Sequence, residues 1–416
     1  MKVVIIGAGA AGLMAAGQAA ARGAQVVLLE KNDCPGKKLM ITGKGRCNIT
    51  NTEVMPDFIK FLPGNGQFLY GALAMFSNQD LIRFFNELGL ETKTERGGRV
   101  FPVSDKAVDV VDTLAGFCTK KGVKFEFSAS VDKIVTENQK IISVSLKDGR
   151  KFECDAAILA TGGASYPGTG STGDGYRMAA ALGHSITALK PALVPLETEE
   201  KWVKDLQGLS LKNVSLTAFS NRKKLASDFG EMLFTHFGVS GPIVLSMSRS
   251  IVPVLEKGNQ VLLKINLKPA LTLEQLDSRI QRDFSVFARK QFLNALGDLL
   301  PKSMIPVMIK LSGIPEQKPV HQITREERIK LAELLQELTV TVTKPRSLSE
   351  AIVTSGGVSI KEINPKTMES KIIRGLYFAG EVVDVDGYTG GFNLQAAFSM
   401  GFVAGTSCTS VDFYQS

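Results

Sequence analysis

MKVVIIGAGAAGLMAAGQAAARGAQVVLLE, residues 1–30, is the stretch whose reading decides the fold. Val3 to Ile6 is a short, fully apolar run, the pattern of a buried strand in a parallel sheet. It runs into Gly7-Ala8-Gly9-Ala10-Ala11-Gly12 and then into an Ala-rich helical stretch. A second apolar run, Val26 to Leu29, ends on an acid, Glu30. Strand, glycines, helix, second strand and acid, in that order, predict a βαβ dinucleotide-binding unit. Gly7 permits the tight turn, Gly9 lets a pyrophosphate approach the backbone, and Gly12 lets the helix pack on its strand. The helix N-terminus offers N–H groups and partial positive charge to the phosphates. Glu30, closing the second strand, is spaced from Gly12 to accept hydrogen bonds from an adenosine ribose. The interior glycines, Gln18 and Arg22 argue against a signal peptide.

The 416 residues leave room for two or three domains with proper cores. Apolar residues make up 44% and charged residues 22%, an ordinary globular balance. No apolar run is long enough to span a bilayer, so no transmembrane helix and no membrane association are expected. The five cysteines (Cys34, Cys47, Cys118, Cys154, Cys408) are scattered and never form CxxC. That predicts a cytoplasmic protein with free thiols, without a disulfide framework, a zinc site or dithiol–flavin chemistry. With three histidines (His184, His236, His321), no metal centre is expected. The formal net charge is +8, and residues 191–350 hold 22 Lys/Arg against 17 Asp/Glu. This fits either a solvated basic surface or an anionic partner such as nucleic acid; no RRM or KH motif is visible.

Lys31 to Asn51 is polar, cationic and glycine-rich, with Thr42, Arg46, Asn48 and Thr50 as further donors, and reads as a continuation of the pyrophosphate site. Residues 56–90 carry apolar positions at helical spacing, and Ala107 to Lys120 predicts another amphipathic helix. From Val123 the period changes to two, a strand series with a hairpin turn at Asp148-Gly149, closing on Ala160-Thr161-Gly162-Gly163. Gly168 to Gly173 repeats the GxGxxG spacing, but Pro167 and Tyr166 part it from its strand and no strand-plus-acid unit follows. It reads as a glycine loop leading to a helix, so no separate NAD(P) domain is expected. Pro191 and Pro195 mark a boundary. Strand patterns over 195–265, helical patterns over 272–338 (FARKQFLNALGDLL among them) and strands again from Leu338 describe an insert. The chain then returns to an apolar strand, Gly375 to Ala379, followed by Gly380-Glu381, Asp384, Gly390-Gly391 and a helix beginning near Leu394.

The ordered motifs GAGAAG, KKLMITGKGRCNITN, RVFP, ATGGASYPGTGSTGDGY, FTHFGVSGP, TSGGV and LYFAGEVVDVDGYTGGFNLQAAFSMG resemble the BaiN-like, or aminoacetone-oxidase-like, family of FAD-dependent oxidoreductases. The resemblance covers essentially the whole chain. It implies an α/β, Rossmann-like, two-dinucleotide-binding FAD domain, split by an inserted β-barrel-like domain and a helical domain. The corresponding boundaries are 1–190 and 356–416 for the FAD-binding parts, 191–270 with 339–355 for the β-rich insert, and 271–338 for the helical domain. It also implies tightly bound FAD. The adenosine and pyrophosphate contacts then fall on Gly7, Gly9, Ala10, Ala11, Gly12, Glu30, Lys31 and Lys38. Thr42, Gly43, Gly45, Arg46, Cys47 and Asn48 fall beside the pyrophosphate and flavin, and Ser130 and Val131 near the adenine. Ala160, Thr161 and Gly162 line the cofactor. Gly380, Glu381, Asp384, Gly391, Phe392, Asn393 and Leu394 fall on the ribityl and isoalloxazine side.

Members of that family resemble either steroid-type enone reductases or enzymes reducing a uridine of ribosomal RNA to dihydrouridine. Both reactions deliver a hydride to the β-carbon of an enone while an acid protonates the α-carbon. Tyr166, His236, Cys47 and Tyr388 are the candidate acids. The partner is ribosomal RNA, met through the basic insert, or else a small molecule in an apolar pocket; a non-catalytic flavin-binding module is the third reading. NAD(P)H is the expected transient reductant, and no stable protein partner is implied.

Overall fold

The computed structural model describes residues 1–410; residues 411–416 of the expected closing part lie outside the described residues. The chain divides into two compact units, Met1–Ala192 with Leu348–Ser416, and Leu193–Ser347.

The first unit is built on a five-stranded parallel sheet. Its strands are β1 (Lys2–Ile6), β2 (Gln25–Leu29), β3 (Lys124–Glu126), β4 (Ala156–Leu159) and β5 (Leu376–Phe378), in the spatial order β5-β4-β1-β2-β3. In register, Val4 lies between Ala157 and Val27, and Leu159 pairs with Phe378. β4 and β5 are buried along their whole length, and β1 at all but Lys2, which explains their unbroken apolar runs. The direction of travel across the sheet reverses between β1 and β4, the place where open α/β sheets bind ligands beyond their strand ends. The Rossmann-like fold read from residues 1–30 is therefore the fold observed.

Two helices cover this sheet, α1 (Ala10–Ala21) and α2 (Phe392–Ser407). They pack more closely than larger residues would permit. A Cβ on Gly401 would collide with the Ala11 carbonyl, and one on Gly405 with the Ala15 carbonyl. Gly12 in turn lies against the Gly7 carbonyl. The helix Ala107–Lys120, as expected, lays Val110, Leu114 and Phe117 on the core.

Three expected elements differ. Residues 56–90 are not one helix but two short ones, Tyr70–Met75 and Asn78–Glu87, preceded by single 3-10 turns. Gly64 exchanges backbone hydrogen bonds with Asp386, and a Ser77–Asp80 capping box starts the second helix afresh. The run from Val123 breaks after Glu126 because the Ser128 and Ala129 N–H groups donate to Asn32 and Glu30 instead. FARKQFLNALGDLL holds only the 3-10 turn Phe292–Asn294. There the N–H groups of Phe292 and Leu293 donate across to Lys318 and Glu316, which forbids helical bonding.

The second unit is a closed six-stranded barrel of Leu196–Thr198, Gly238–Ser240, Lys223–Phe234, Ser210–Ser220, Val261–Asn266 and Leu338–Pro345. Helix Pro242–Glu256 packs on it, and helices Leu273–Val286, Ile305–Ser312 and Arg325–Gln336 share its apolar core. Among the described residues, no helix is long and apolar enough to cross a membrane.

His184 is buried in the first unit, with its ring edge-on to Phe378 at 4.8 Å. Ser370 Oγ accepts from the Ile372 and Ile373 N–H groups, so its own proton goes to His184 Nε2 at 3.0 Å. That leaves Nδ1–H facing Glu362 at 3.3 Å, an ion-pair distance with poor hydrogen-bond geometry. Burial pushes the imidazole below its ordinary value of 6.5, and Glu362 only partly opposes it. A depressed pKa gives stability that is present above about pH 6.5 and lost as pH falls. The midpoint of urea unfolding is expected to drop between about pH 7 and about pH 5, and His184→Gln to flatten that slope. A wild-type profile flat over that range would contradict this. Independently, Gly401→Ala is expected to cost about 1–3 kcal/mol in urea unfolding, because the overpacked helix pair cannot separate freely.

Candidate functional site

The sequence-predicted residues of the first unit gather at the carboxyl end of the parallel sheet. β1 delivers Gly7, whose N–H donates to Leu29 O at 2.8 Å, and the chain turns into α1 at Gly9. No side chain caps α1, so its first N–H groups face outward. An added Cβ on Gly9 would meet nothing within 4 Å, whereas Gly7 and Gly12 are walled in by backbone. Gly9 thus opens onto space at a positive helix end, the shape a pyrophosphate requires. Glu30, at the end of β2, is buried and accepts from the Ala8 N–H at 2.8 Å and from Asn32 at 2.8 and 2.7 Å. Ala129 N–H donates to Glu30 O, which sets Ser130 and Val131 close in the chain to this acid.

The glycine-rich segment 31–51 folds back over the same end. Gly36 N–H donates to Ala8 O at 2.9 Å and starts the helix Lys37–Ile41. Lys31 Nζ binds Asp174 at 2.7 Å and Thr172, on the loop leading to the helix Asp174–Ala181. Lys38 Nζ binds Glu381 at 2.7 Å and Ser165 at 2.8 Å. Arg46 is placed differently from a simple phosphate contact. Its guanidinium pairs with Glu95 and Asp105 and stacks 4.1 Å over Phe101, and Lys93 also pairs with Asp105. The arginine therefore pins the Thr42–Asn48 turn, in which Lys44 and Cys47 adopt positive φ, to the strands around Phe101. Asn48 Oδ1 is buried and has no partner among the described residues, which leaves it able to accept from the N–H of a bound group.

The C-terminal residues complete the arrangement. Gly391, at φ 101°, begins α2, again with no side-chain cap. Asn51 Nδ2 donates to Gly390 O at 3.0 Å, and Thr50 Oγ to Gln395 at 2.7 Å, so the short strand Thr50–Asn51 lies against this second open helix end. Asn393 grips the Gly387–Tyr388 loop through both its amide atoms. Phe392 stacks on Phe61 with ring centroids 4.5 Å apart. Glu381 follows β5, and besides Lys38 it accepts from Ser165 Oγ at 3.0 Å and from the Thr354 N–H at 2.7 Å. Asp384 is half-buried, with its N–H on Val358 O. Ala160, Thr161 and Gly162 extend β4 beside Gly7 and Gly175. Asn32, Ser165 and Thr354 were not among the cofactor residues read from sequence. Asn32 lies two residues from Glu30, whereas Ser165 and Thr354 are far in sequence from Glu381, and only their motifs, SYPG and TSGG, hinted at them.

The four candidate acids separate. Cys47 is fully buried, and burial pushes its thiol up to about 12. Tyr166 is 37% exposed on the loop after β4 and holds a positive φ of 52°. Tyr388 is half-buried, its N–H bound to Phe61 O at 2.9 Å. His236 is exposed and belongs to the second unit, edge-on to Phe237.

Two helix N-termini without side-chain caps, an open glycine at the first of them, a buried amide oxygen and two lysines, Lys31 and Lys38, fit a ligand that is anionic in its middle and hydrogen-bonding at one end. FAD has that chemistry. These features define a two-dinucleotide-binding flavoprotein.

The chain belongs to the family described as HI0933-like protein Rossmann domain, which matches residues 1–407. It is 33% identical to the 3-dehydro-bile acid delta(4,6)-reductase of Clostridium scindens over 407 residues, 97% of this chain and 98% of that one. It is also 33% identical to the ribosomal RNA dihydrouridine synthase of Haemophilus influenzae over 409 residues, 97% of each chain. Among solved structures, the 3-ketosteroid delta1-dehydrogenase of Sterolibacterium denitrificans shares the fold, with a TM-score of 0.54 at 13% identity over 98% of this chain and 99% of that one. The protein is an FAD-dependent oxidoreductase.

Gly9→Val and Gly12→Ala separate binding from folding. Gly9→Val is expected to match the flavin-free wild type in urea stability and to purify without flavin, because its side chain enters free space at the uncapped start of α1. Gly12→Ala is expected to lose stability, because its methyl meets the Gly7 carbonyl. A yellow, fully loaded Gly9→Val protein would contradict the assignment.

Proposed function

We propose that the protein reduces an activated carbon–carbon double bond, with a uridine of ribosomal RNA as the substrate and NAD(P)H as the transient source of electrons. The carrying observation is the pair of relatives at equal identity, one named for reducing a bile acid and one for making dihydrouridine in ribosomal RNA. Both names describe saturation of a double bond, so the reaction type is common ground and the substrate is what differs. Charge favours RNA. Leu193–Ser347 holds 22 Lys/Arg against 16 Asp/Glu, six of the net eight positive charges.

When bound, reduced FAD supplies the hydride. The residues of the chain hold and orient. Gly9 and the open end of α1 receive the pyrophosphate, Glu30 the ribose of the adenosine, and Asn48 with the open end of α2 the flavin. A positive helix end at that place favours negative charge. Proton delivery falls to Tyr166 among the four candidates. Its loop follows β4 in the first unit and leaves the ring exposed, whereas the exposed His236 belongs to the second unit, and a positive φ such as that of Tyr166 is the kind kept at functional sites. Cys47, held protonated by burial, is assigned to packing.

A small-molecule enone reductase, or an amine or ketone oxidase, is the second reading, favoured by the bile-acid relative. Mass analysis of ribosomal RNA nucleosides from a deletion strain decides between them. Loss of dihydrouridine, restored by the wild-type gene, is expected. Unchanged dihydrouridine would leave the small-molecule reading. In the purified enzyme, Tyr166→Phe is expected to lower turnover about 10²-fold or more while flavin reduction by NAD(P)H persists. Equal turnover in Tyr166→Phe would remove that residue from proton transfer.

A further inference from the structure

We propose that the outer face of the barrel, centred on Phe229, Lys224 and Lys264, is a docking surface for single-stranded RNA. The proposal rests on the RNA reading above and adds the place where the nucleic acid is held.

The alternation of the strands fixes which side chains share this face. In the hairpin of Ser210–Ser220 and Lys223–Phe234, Ser215 pairs with Phe229, Thr217 with Ser227 and Phe219 with Lys224. On the next strand, Lys264 stands opposite Thr217 and Asn266 opposite Ser215. Their neighbours Leu216, Ala218, Leu263 and Ile265 are buried in the barrel core. The outward row is thus two phenylalanines, two lysines, three hydroxyls and an amide. Phe229 is 50% exposed although the barrel core is filled without it. Lys264 Nζ sits 5.3 Å from the Phe219 ring centroid and also pairs with Glu337.

A solvated face of an antiparallel barrel needs only polar residues. An exposed ring, Phe229, and a half-buried one, Phe219, among cations and hydroxyls on the flat of a sheet are a composition that suits single-stranded nucleic acid. The rings stack on bases, and the cations track the phosphates. Phe219 and Phe229 stand opposite positions four apart on one strand, about 13 Å along the sheet. That gives two stacking positions with Thr217, Ser227 and Lys264 between them. The hairpin turn continues the charge. Asn221 and Arg222 both have positive φ, and Arg222 and Lys223 are exposed beside Lys224. Asn221 bonds Asn259, which brings the loop of exposed Lys257 to the same edge.

The test uses the FAD-loaded enzyme and a fluorescein-labelled single-stranded oligouridylate, with binding read by anisotropy across a salt series. Phe229→Ala is expected to weaken binding about tenfold or more. Lys224→Ala is expected to weaken it several-fold and to lower the salt slope by about one. Lys302→Ala, an exposed lysine elsewhere in the same unit, is expected to change neither by a comparable amount. All three are expected to keep wild-type rates of flavin reduction by NAD(P)H, which shows that they fold. Wild-type affinity in both Phe229→Ala and Lys224→Ala would overturn the surface, as would a wild-type enzyme that does not bind the oligonucleotide. Dihydrouridine formation on ribosomal RNA is measured alongside. If the wild type forms it and the variants bind normally, the surface falls and the function stands. If the wild type forms none while Phe229→Ala still loses RNA binding, the function falls and the surface stands.

Discussion

The contact on which the site depends is the glycine-lined approach of α1 to α2. Gly401 and Gly405 let the second helix lie directly on the backbone of Ala11 and Ala15. Gly12 does the same between α1 and the turn after β1. Each of these positions lacks room for a methyl group, and the interior is too dense to create it cheaply. The consequence is geometric. Two helices from opposite ends of the sequence are held side by side at the carboxyl end of one sheet. Both leave their first N–H groups uncapped. A dinucleotide is long enough to use two such ends, one at its phosphates and one at its ring system.

The N-terminal half of this arrangement was legible in sequence because every part of it is local. Strand, glycines, helix and acid follow one another between Met1 and Glu30, and each has its own signature. The C-terminal half was legible only through likeness to other flavoproteins, since a strand ending on Ala-Gly-Glu carries no chemistry by itself. What sequence did not disclose is the pairing of distant polar residues. Lys38 meets Glu381 across 343 positions, and Ser165 and Thr354 close the same cluster. Arg46 shows the same limit from the other side. Its sequence neighbourhood suggests a phosphate contact, but Glu95 and Asp105, brought in by two short strands, hold its guanidinium. Helical periodicity over 56–90 and 287–300 likewise lost to tertiary hydrogen bonds that claimed the backbone N–H groups.

The two units differ in build and in charge. The first has the elements of a cofactor site and little freedom to vary, because its glycines and buried strands leave no slack. The second has its own core, most of the net positive charge and an outward sheet face rich in hydroxyls and aromatic rings. Relatives of equal identity with a bile acid and a ribosomal RNA as their named substrates fit that division.

A site built on both helix ends takes one FAD. The most direct measurement is the visible spectrum of the purified protein, followed by heat release and chromatographic identification of the chromophore. A yellow protein that releases FAD, not FMN, as its sole flavin is expected. A colourless protein that cannot be reconstituted with FAD, or one that carries only FMN, would contradict it.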